Sequence, residues 1–297
     1  MHLRRASHSV ACQPFYILRF MDQRLKQQLQ QIKHVALDMD GTIYMGSTLF
    51  PFTIPFLNGL KELGISYSFL TNNPSRSIDD YLLKLQHMGI TATEEEIYNT
   101  TVATIDYIKA TYPQARRLFL LGTPSMISQF EKAGFTSTTN SPDDVPDAVV
   151  AAFDMSLVYP RLCRAAWWIS QGLPYIATNP DRVCPTNERT ILVDCGSICQ
   201  CLNHATGRTP DITLGKPDPN MLLGILRQKH LQPNQIAMVG DRIYTDIKMA
   251  QNAGAFGVLV LSGETTLEVA QSAPNPPDLT VENIQVLGTL LQEAHQS

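Results

Sequence analysis

Short, continuously apolar runs alternate along this chain with longer segments in which apolar residues recur every three or four positions. Continuous runs are typical of strands buried on both faces of a parallel sheet, and the spaced pattern is typical of amphipathic helices. The strand-like runs lie at 34–37, 65–70, 235–239 and 256–261, the last of them leading to a C-terminal helix. Helical patterns lie at 77–87 and from Asp246 to Gly254. This alternation predicts an α/β fold whose core is a doubly wound parallel sheet.

A second group of strand-like runs interrupts this core. It consists of 117–121, 148–153 and 174–177, with a helical pattern at 159–171 between the last two. Strands that alternate with helices predict a separate α/β unit. Trp167 and Trp168, on its helix, are expected to be core residues of this unit. We expect a core made of residues 21–101 and 211–297, and an insertion made of residues 102–210.

The first twenty residues are expected to be a dispensable extension. Residues 1–20 contain three arginines, no acidic residue and no apolar pattern typical of a packed element. An acid-poor segment with arginine and serine is also compatible with an organelle transit peptide. Both origins, a transit peptide and an upstream start, stay open.

Composition excludes some classes of partner. The 297 residues carry a formal net charge of −4 and no basic cluster interleaved with aromatic residues, so we expect no binding to nucleic acid. No apolar run reaches the ~18 residues that span a bilayer, so we expect a cytoplasmic protein that does not bind a membrane.

The six cysteines are expected to be reduced thiols, as in most cytoplasmic proteins. Cys195, Cys199 and Cys201, followed by His204, suggest zinc as an alternative. Their spacing matches no paired C-x-x-C pattern. A helix over 196–206 would also place the thiols of Cys199 and Cys201 on different faces.

The strongest chemical signal is the segment Asp38-Met39-Asp40-Gly41 at the end of the first strand. Side chains alternate along an extended chain, so Asp38 and Asp40 are expected to point to the same side of the strand end. Two carboxylates at the end of a buried strand repel each other unless a cation lies nearby. The pair predicts a cation site, and a solvated turn is the alternative for the motif taken alone.

Three further polar clusters accompany these carboxylates. Thr71-Asn72-Asn73 follows the second strand and precedes a helix, where hydroxyl, amide and backbone N–H groups form an anion site. Asp241 directly follows the third strand, Asp246 is expected to open the next helix, and Lys216 lies in a loop. Each has an ordinary alternative as a turn, a helix N-cap or a surface lysine. Because open α/β sheets bind ligands at the carboxyl ends of their strands, we expect all four clusters to meet there.

In their order along the chain, these segments resemble the four motifs of the haloacid dehalogenase-like (HAD) phosphatases. The matching segments are Asp38-Met39-Asp40-Gly41-Thr42, Leu70-Thr71-Asn72-Asn73, Lys216-Pro217, and Gly240-Asp241 with Asp246. Thr71-Asn72-Asn73-Pro74 and Ala177-Thr178-Asn179-Pro180-Asp181 are similar to the subgroup of p-nitrophenyl phosphatases and the bacterial ribonucleotide monophosphatase. The resemblance implies a Rossmann-like HAD core with residues 102–210 as a large α/β cap.

The resemblance also implies a reaction. We expect hydrolysis of small phosphomonoesters (sugar phosphates, nucleoside monophosphates or p-nitrophenyl phosphate) through an aspartyl-phosphate, with Mg²⁺ as cofactor. Asp38 is the expected nucleophile and Asp40 the expected general acid–base. Mg²⁺ is expected to bind Asp38, the backbone carbonyl of Asp40 and Asp241, with Asp246 acting through a water.

Substrate contacts are implied in both parts of the chain. Thr71 and the backbone amide of Asn72 are expected to hold the phosphoryl oxygens, and Lys216 to offset their charge. Further contacts are expected from Asn73 and, in the cap, from Asn179, Asp181, Asn187 and Arg189. The chain departs from the subgroup at Asp194-Cys195-Gly196, where relatives commonly have a Gly-Ala-Gly-type run.

The expected partner is a small phosphorylated metabolite, and a homodimer formed through the cap is a further expectation. A phosphotransferase that uses the same chemistry, and a non-catalytic protein that binds phosphorylated metabolites, are the alternatives. A dehalogenase is disfavoured, because that reaction in this superfamily needs neither Mg²⁺ nor the second acid.

Overall fold

Strands and helices alternate along most of the chain in a computed structural model that describes residues 22–184, 186 and 189–296. The strands are β1 His34–Asp38, β2 Tyr44–Met45, β3 Thr48–Leu49, β4 Ser66–Thr71, β5 Ile97–Asn99, β6 Arg117–Leu121, β7 Thr136–Ser137, β8 Ala148–Ala151, β9 Tyr175–Ala177, β10 Val183–Cys184, β11 Leu192–Val193, β12 Ile212–Thr213, β13 Ile236–Gly240, β14 Phe256–Val260 and β15 Leu279–Val281. The α-helices are α1 Gln23–Gln31, α2 Thr53–Glu62, α3 Ile78–His87, α4 Thr100–Thr111, α5 Pro124–Lys132, α6 Tyr159–Ser170, α7 Cys195–Thr206, α8 Asn220–Lys229, α9 Lys248–Ala253, α10 Leu267–Ser272 and α11 Ile284–His295. The expected extension, residues 1–20, lies outside the described residues.

The larger sheet has the strand order β15-β14-β13-β1-β4-β5, and every pair in it is parallel. Its central strand β1 is buried on both faces. Val35 and Leu37 pack in a cluster that includes residues of α1, α2 and α11, whereas Ala36 packs against residues of α8 and α9. Alternate residues of one continuously apolar strand thus fill two cores, which confirms the predicted α/β fold with helices on both faces of a parallel sheet.

The second sheet has the order β12-β9-β8-β6-β7 and is also parallel. Helix α5 packs on one of its faces, and α6 and α7 pack on the other. Trp168 is buried there, but Trp167 is 49% exposed, so the expectation that both tryptophans pack in this core is wrong for Trp167. Successive residues of a helix point ~100° apart, so only one of two adjacent side chains faces the sheet.

Two connections join the sheets. In helix α4, Ala103 packs against the larger sheet, whereas Ile105 and Ile108 pack against the smaller one. On the return, β12 pairs with β9, and the backbone N–H of Leu214 donates to the carbonyl of Ala177. A short edge strand therefore extends the second sheet beyond residue 210, the expected end of the insertion.

Two expected elements differ from the structure. Strand 256–261 is not the last, because β15 follows it at the edge of the sheet; its three residues form too short a pattern to recognise in sequence. The helix expected to open at Asp246 begins earlier, as a π-helical turn over Ile243–Ile247 that continues into α9. The Asp246 carboxylate folds back to accept a hydrogen bond from the Arg242 N–H, at 3.1 Å, and so stabilises that earlier turn.

Helix α7 spans the segment that the sequence predicts as helical, and its N-cap is a buried acid. Asp194 accepts hydrogen bonds from the backbone N–H of Cys195 and from Asn179 Nδ2, the latter at 3.0 Å. Burial raises the pKa of Asp194 from 3.8 to about 6. Cys195 and Cys199 are buried with their sulfurs 3.8 Å apart, whereas Cys201 is exposed. Among the described residues, no helix combines the length and apolarity needed to cross a membrane.

Asp194→Asn should change how stability depends on pH. A carboxyl whose pKa is higher in the folded chain binds more protons there, so its contribution to the free energy of unfolding falls as pH rises from 3.8 to about 6. The asparagine keeps the N-cap but cannot ionise. Relative to the wild type, the variant should gain about 2–3 kcal/mol from about pH 4 to pH 7, measured by urea unfolding. Asp22→Asn, which changes the exposed N-cap of α1, is the matched control; an equal gain there would contradict the prediction.

Candidate functional site

Three of the predicted clusters meet where neighbouring strands end. Asp38 is the last residue of β1, Thr71 is the last residue of β4, and Asp241 directly follows β13. These strands are adjacent in the order β13-β1-β4 and run parallel, so their carboxyl ends share one edge of the sheet. Lys216 reaches the same place from the loop after β12.

Lys216 connects two of the buried carboxylates. Its Nζ forms ion pairs with Asp38 and, at 2.7 Å, with Asp246, and all three side chains are buried. Burial alone would lower the pKa of Lys216, but Asp246 and Asp38 raise it above its ordinary value, so the ammonium stays charged. Lys216, whose sequence context alone is that of a surface lysine, therefore supplies a fixed positive charge beside Asp38.

The carboxylates of Asp38, Asp241 and Asp246 form the cluster most suited to a cation. In the described part of the chain they are the one group of three acidic, histidine or cysteine side chains whose ligand atoms lie within 4.8 Å of one another. Burial raises the pKa of each, to about 6 for Asp246, and the positive charge of Lys216 offsets this rise only in part. Three carboxylates and one ammonium leave a net charge of −2 in this buried cluster.

Asp241 leaves one oxygen available to such a cation. Its Oδ2 accepts a hydrogen bond of 2.7 Å from the Glu264 N–H, whereas its buried Oδ1 has no hydrogen-bond partner. A Cβ at Gly41 would lie 2.4 Å from Oδ2, and one at Gly263 would lie 2.1 Å from it, so glycine at both positions lets the backbone enclose the carboxylate. An orphaned, anionic oxygen among hard oxygen donors fits Mg²⁺.

Asp40 lies apart from this buried cluster. Its side chain is exposed, and its Oδ2 accepts a hydrogen bond of 3.2 Å from the Gly46 N–H. Gly41 turns the chain directly after it, with φ at +81°. An exposed carboxylate two residues from a buried one can exchange protons with water while the other stays within the ion-paired cluster.

The side chain of Asn72 joins three parts of the site. Its Nδ2 donates to Asp181 Oδ2 at 2.9 Å and to the Lys216 carbonyl at 3.2 Å, and its Oδ1 accepts from the Lys216 N–H at 2.8 Å. Asp181 belongs to the cap, where it follows strand β9 of the smaller sheet. Asn72 therefore fixes the Lys216 backbone and contacts the cap at the same time.

Asn73 and Asn179 hold neighbouring protein groups. Asn73 Oδ1 accepts from the Ser75 N–H and hydroxyl, at 2.9 and 2.6 Å, while its Nδ2 lies 3.6 Å from the sulfur of Cys184. Asn179 is fully buried and donates to Asp181 at 2.9 Å as well as to Asp194. Their amides support Asp181 and the loop after β4, a role that sequence reasoning did not anticipate for them.

Of the two remaining predicted cap residues, the structure describes one, which lies along the chain between β10 and β11. Arg189 is exposed between these strands, and Asn187 lies outside the described residues. Asp194, which the sequence marks only as a departure from the subgroup, supports the site indirectly. Its carboxylate accepts a hydrogen bond from Asn179, which in turn donates to Asp181. Gly196 is required behind Asp194, because a Cβ there would lie 2.3 Å from the Pro180 carbonyl oxygen.

Comparisons with known proteins identify the family of this chain. A family model described as haloacid dehalogenase-like hydrolase matches residues 35–136, and a second HAD-hydrolase-like model matches residues 213–287. An acid sugar phosphatase of Staphylococcus aureus is 32% identical over 256 residues, which cover 86% of this chain and 96% of the relative.

Solved structures give the same result. The 4-nitrophenylphosphatase of Thermotoga maritima has 37% identity and a TM-score of 0.81, covering 88% of this chain and 98% of its own. A glycerol phosphate phosphatase of Mycobacterium tuberculosis, solved in complex with magnesium, has 28% identity and a TM-score of 0.79, covering 88% of this chain and 78% of its own. The sheet, the order of the four clusters and these similarities all agree: this chain belongs to the haloacid dehalogenase-like hydrolases, in the subgroup of phosphatases that carry a large α/β cap.

Proposed function

We propose that this protein hydrolyses small phosphomonoesters through an aspartyl-phosphate on Asp38, with Mg²⁺ as its cofactor. The observation that carries the proposal is the buried cluster in which Asp38 lies beside Lys216 and two further carboxylates. A carboxylate that attacks phosphorus splits one difficult displacement into two easier ones. The adjacent ammonium reduces the repulsion between this anionic nucleophile and an anionic substrate.

Each half-reaction uses both aspartates. In the first, an Asp38 oxygen forms a bond to phosphorus while the bond to the leaving alkoxide breaks, and Asp40 gives its proton to that alkoxide. In the second, Asp40 takes a proton from a water, which attacks the phosphorus and releases orthophosphate and the free Asp38 carboxylate. The exposed position of Asp40 supports this role, because both the leaving group and the water arrive from solvent.

Mg²⁺ would be held by the carboxylates of Asp38 and Asp241 and by the backbone carbonyl of Asp40. Asp246 would act on the ion through a water. The orphaned Oδ1 of Asp241 and the net charge of the cluster support this assignment. When bound, the ion would neutralise charge on the phosphoryl group and on the carboxylates that surround it. The relative solved with magnesium makes this ion the first to test.

The cap is proposed to select the substrate. Asp181 lies against Asn72 beside the site, just before β10, and the exposed Arg189 lies between β10 and β11. Contacts to non-reacting parts of a substrate supply binding energy that can be realised in the transition state. Relatives named for sugar phosphates, glycerol phosphate and 4-nitrophenyl phosphate support a small phosphorylated metabolite as the substrate. The homodimer through the cap stays a prediction, which light scattering of the purified protein would test.

Asp38→Asn and Asp40→Asn should separate the two roles. Asp38→Asn should abolish turnover of p-nitrophenyl phosphate and the trapping of a phosphoenzyme, because the amide is not a nucleophile. Asp40→Asn should slow turnover by ~10²–10⁴, the usual contribution of one general acid–base. Steady-state rates and acid-quenched phosphoenzyme give the measurement, and circular dichroism confirms folding. A near-normal rate for Asp38→Asn would refute the assignment, and binding of phosphate by a wild type that never turns over would favour a binding protein.

Removal of metal should abolish activity, and Mg²⁺ should restore it. In the chelated wild type, added Mg²⁺ should also raise the melting temperature, because an ion that binds only the folded state stabilises it. Asp241→Asn should lose both effects, whereas Asp79→Asn, an exposed carboxylate on α3, should keep them. Restoration by zinc alone, or loss of metal response on replacing Cys195 and Cys199, would contradict the oxygen-ligand site.

Arg189→Ala should change the ranking of substrates. We expect kcat/KM to fall for substrates with large polar leaving groups and to change little for p-nitrophenyl phosphate, which offers the cap few polar groups. The measurement is kcat/KM over a panel of sugar, polyol and nucleoside monophosphates. Lys109→Ala, an exposed cation on α4, is the control. If Arg189→Ala lowers all substrates equally, the residue does not select among them.

A further inference from the structure

The loop after β4, residues 72–76, is held by side chains that the proposed reaction does not use. Each of its five backbone carbonyl oxygens accepts a hydrogen bond from a different side chain. The pairs are Thr100 Oγ1 to Asn72 O at 2.9 Å, the Tyr81 hydroxyl to Asn73 O at 3.0 Å, Thr101 Oγ1 to Pro74 O at 3.5 Å, Thr123 Oγ1 to Ser75 O at 2.9 Å and Asn99 Nδ2 to Arg76 O at 3.3 Å. Buried backbone groups are generally hydrogen-bonded, and here side chains supply the partner for every carbonyl of the loop.

All five donors are buried. Asn99, Thr100 and Thr101 have no exposed surface, and they follow one another where β5 passes into α4. Interior positions of this kind usually carry apolar residues, because a buried hydroxyl is favourable only when it is hydrogen-bonded. Hydrogen bonds to the carbonyl groups of the loop therefore explain why three successive polar residues are buried here.

Holding a carbonyl also orients the N–H on the other side of the same peptide. In a trans peptide the two groups point in opposite directions. The peptide whose carbonyl accepts from Thr100 carries the N–H of Asn73, and that N–H donates to the Thr71 hydroxyl oxygen at 3.2 Å. The Tyr81 hydroxyl holds the next carbonyl of the loop, that of Asn73. Thr100 thus orients the N–H that holds the Thr71 hydroxyl oxygen at the end of β4.

One donor comes from the cap side of the chain. Thr123 is the N-cap of α5, where its hydroxyl oxygen accepts from the Met126 N–H at 3.3 Å while the hydroxyl donates to Ser75. The 72–76 loop is therefore tied to the first helix of the cap as well as to α3 and α4. Its backbone cannot reorient without breaking a contact to one of these helices.

We propose that Tyr81, Thr100 and Thr123, with Asn99 and Thr101, are positioning residues that hold the backbone of the 72–76 loop and so aim the Thr71 hydroxyl at the phosphoryl group. The inference rests on the proposed function and on the role expected from the sequence for Thr71 and the Asn72 amide, which is to hold the phosphoryl oxygens. The five donors do not touch substrate; they act through the carbonyl groups that they hold.

Thr100→Val tests this directly, because it removes the hydroxyl and keeps the shape of the side chain. Loss of one hydrogen bond that orients the loop should raise both the KM for p-nitrophenyl phosphate and the inhibition constant of orthophosphate about tenfold. Thr100→Ser, which keeps the hydroxyl, should restore both to within about twofold of wild type. Tyr81→Phe should act in the same direction and serves as a second variant if Thr100→Val does not fold.

Thr104→Val is the matched control. Thr104 is fully buried in the same helix, and its hydroxyl donates only to the Thr100 carbonyl, at 2.6 Å. Both valine variants should lower the urea midpoint, but only Thr100→Val should weaken orthophosphate. Unchanged constants in Thr100→Val and Tyr81→Phe, or an equal change in Thr104→Val, would overturn the inference while leaving the proposed function intact. A wild type without Mg²⁺-dependent turnover would instead overturn the proposed function and this inference with it.

Discussion

An excess of buried negative charge is the constraint on which the rest of this structure depends. Three carboxylates at the strand ends share the ammonium group of Lys216, and burial raises the pKa of every one of them. Uncompensated charge in a protein interior is costly, and the folded chain tolerates it here only because the surrounding packing holds the groups together. A divalent cation would neutralise this excess negative charge. An arrangement of carboxylates that is unfavourable for folding is therefore suited to a reaction that uses such a cation.

Hydrogen bonds extend from this cluster to both parts of the chain. Asn72 holds the backbone of Lys216 and the carboxylate of Asp181, so the position of the lysine and that of the cap depend on a single amide. The carbonyl groups of residues 72–76 are held from α3, α4 and α5 in turn. Because a polar network of this kind is favourable only when every member has a partner, the core and the cap constrain each other at the site.

Several features of the site follow from the sequence, and others do not. The convergence of Asp38, Thr71 and Asp241 is predictable, because each directly follows an apolar run and parallel strands end at one edge. The supporting role of Asn179 is not, since its neighbours in sequence resemble those of a substrate-binding residue. Thr100 and Thr123 also look ordinary in sequence. A threonine that only begins a helix has the same sequence context as one whose hydroxyl also donates to a distant carbonyl.

Local patterns by themselves determined the longer strands of the two sheets, several helices, the α/β class and the residue types at the strand ends. They did so because burial and backbone geometry repeat every two or about 3.6 residues, which short segments reveal. The tertiary structure decided which face of a helix is buried, as with Trp167, where the chain leaves the cap sheet, and where the helix around Asp246 begins. It also decided which amides and hydroxyls support the site, because a hydrogen bond between distant residues depends on distances that no local pattern contains.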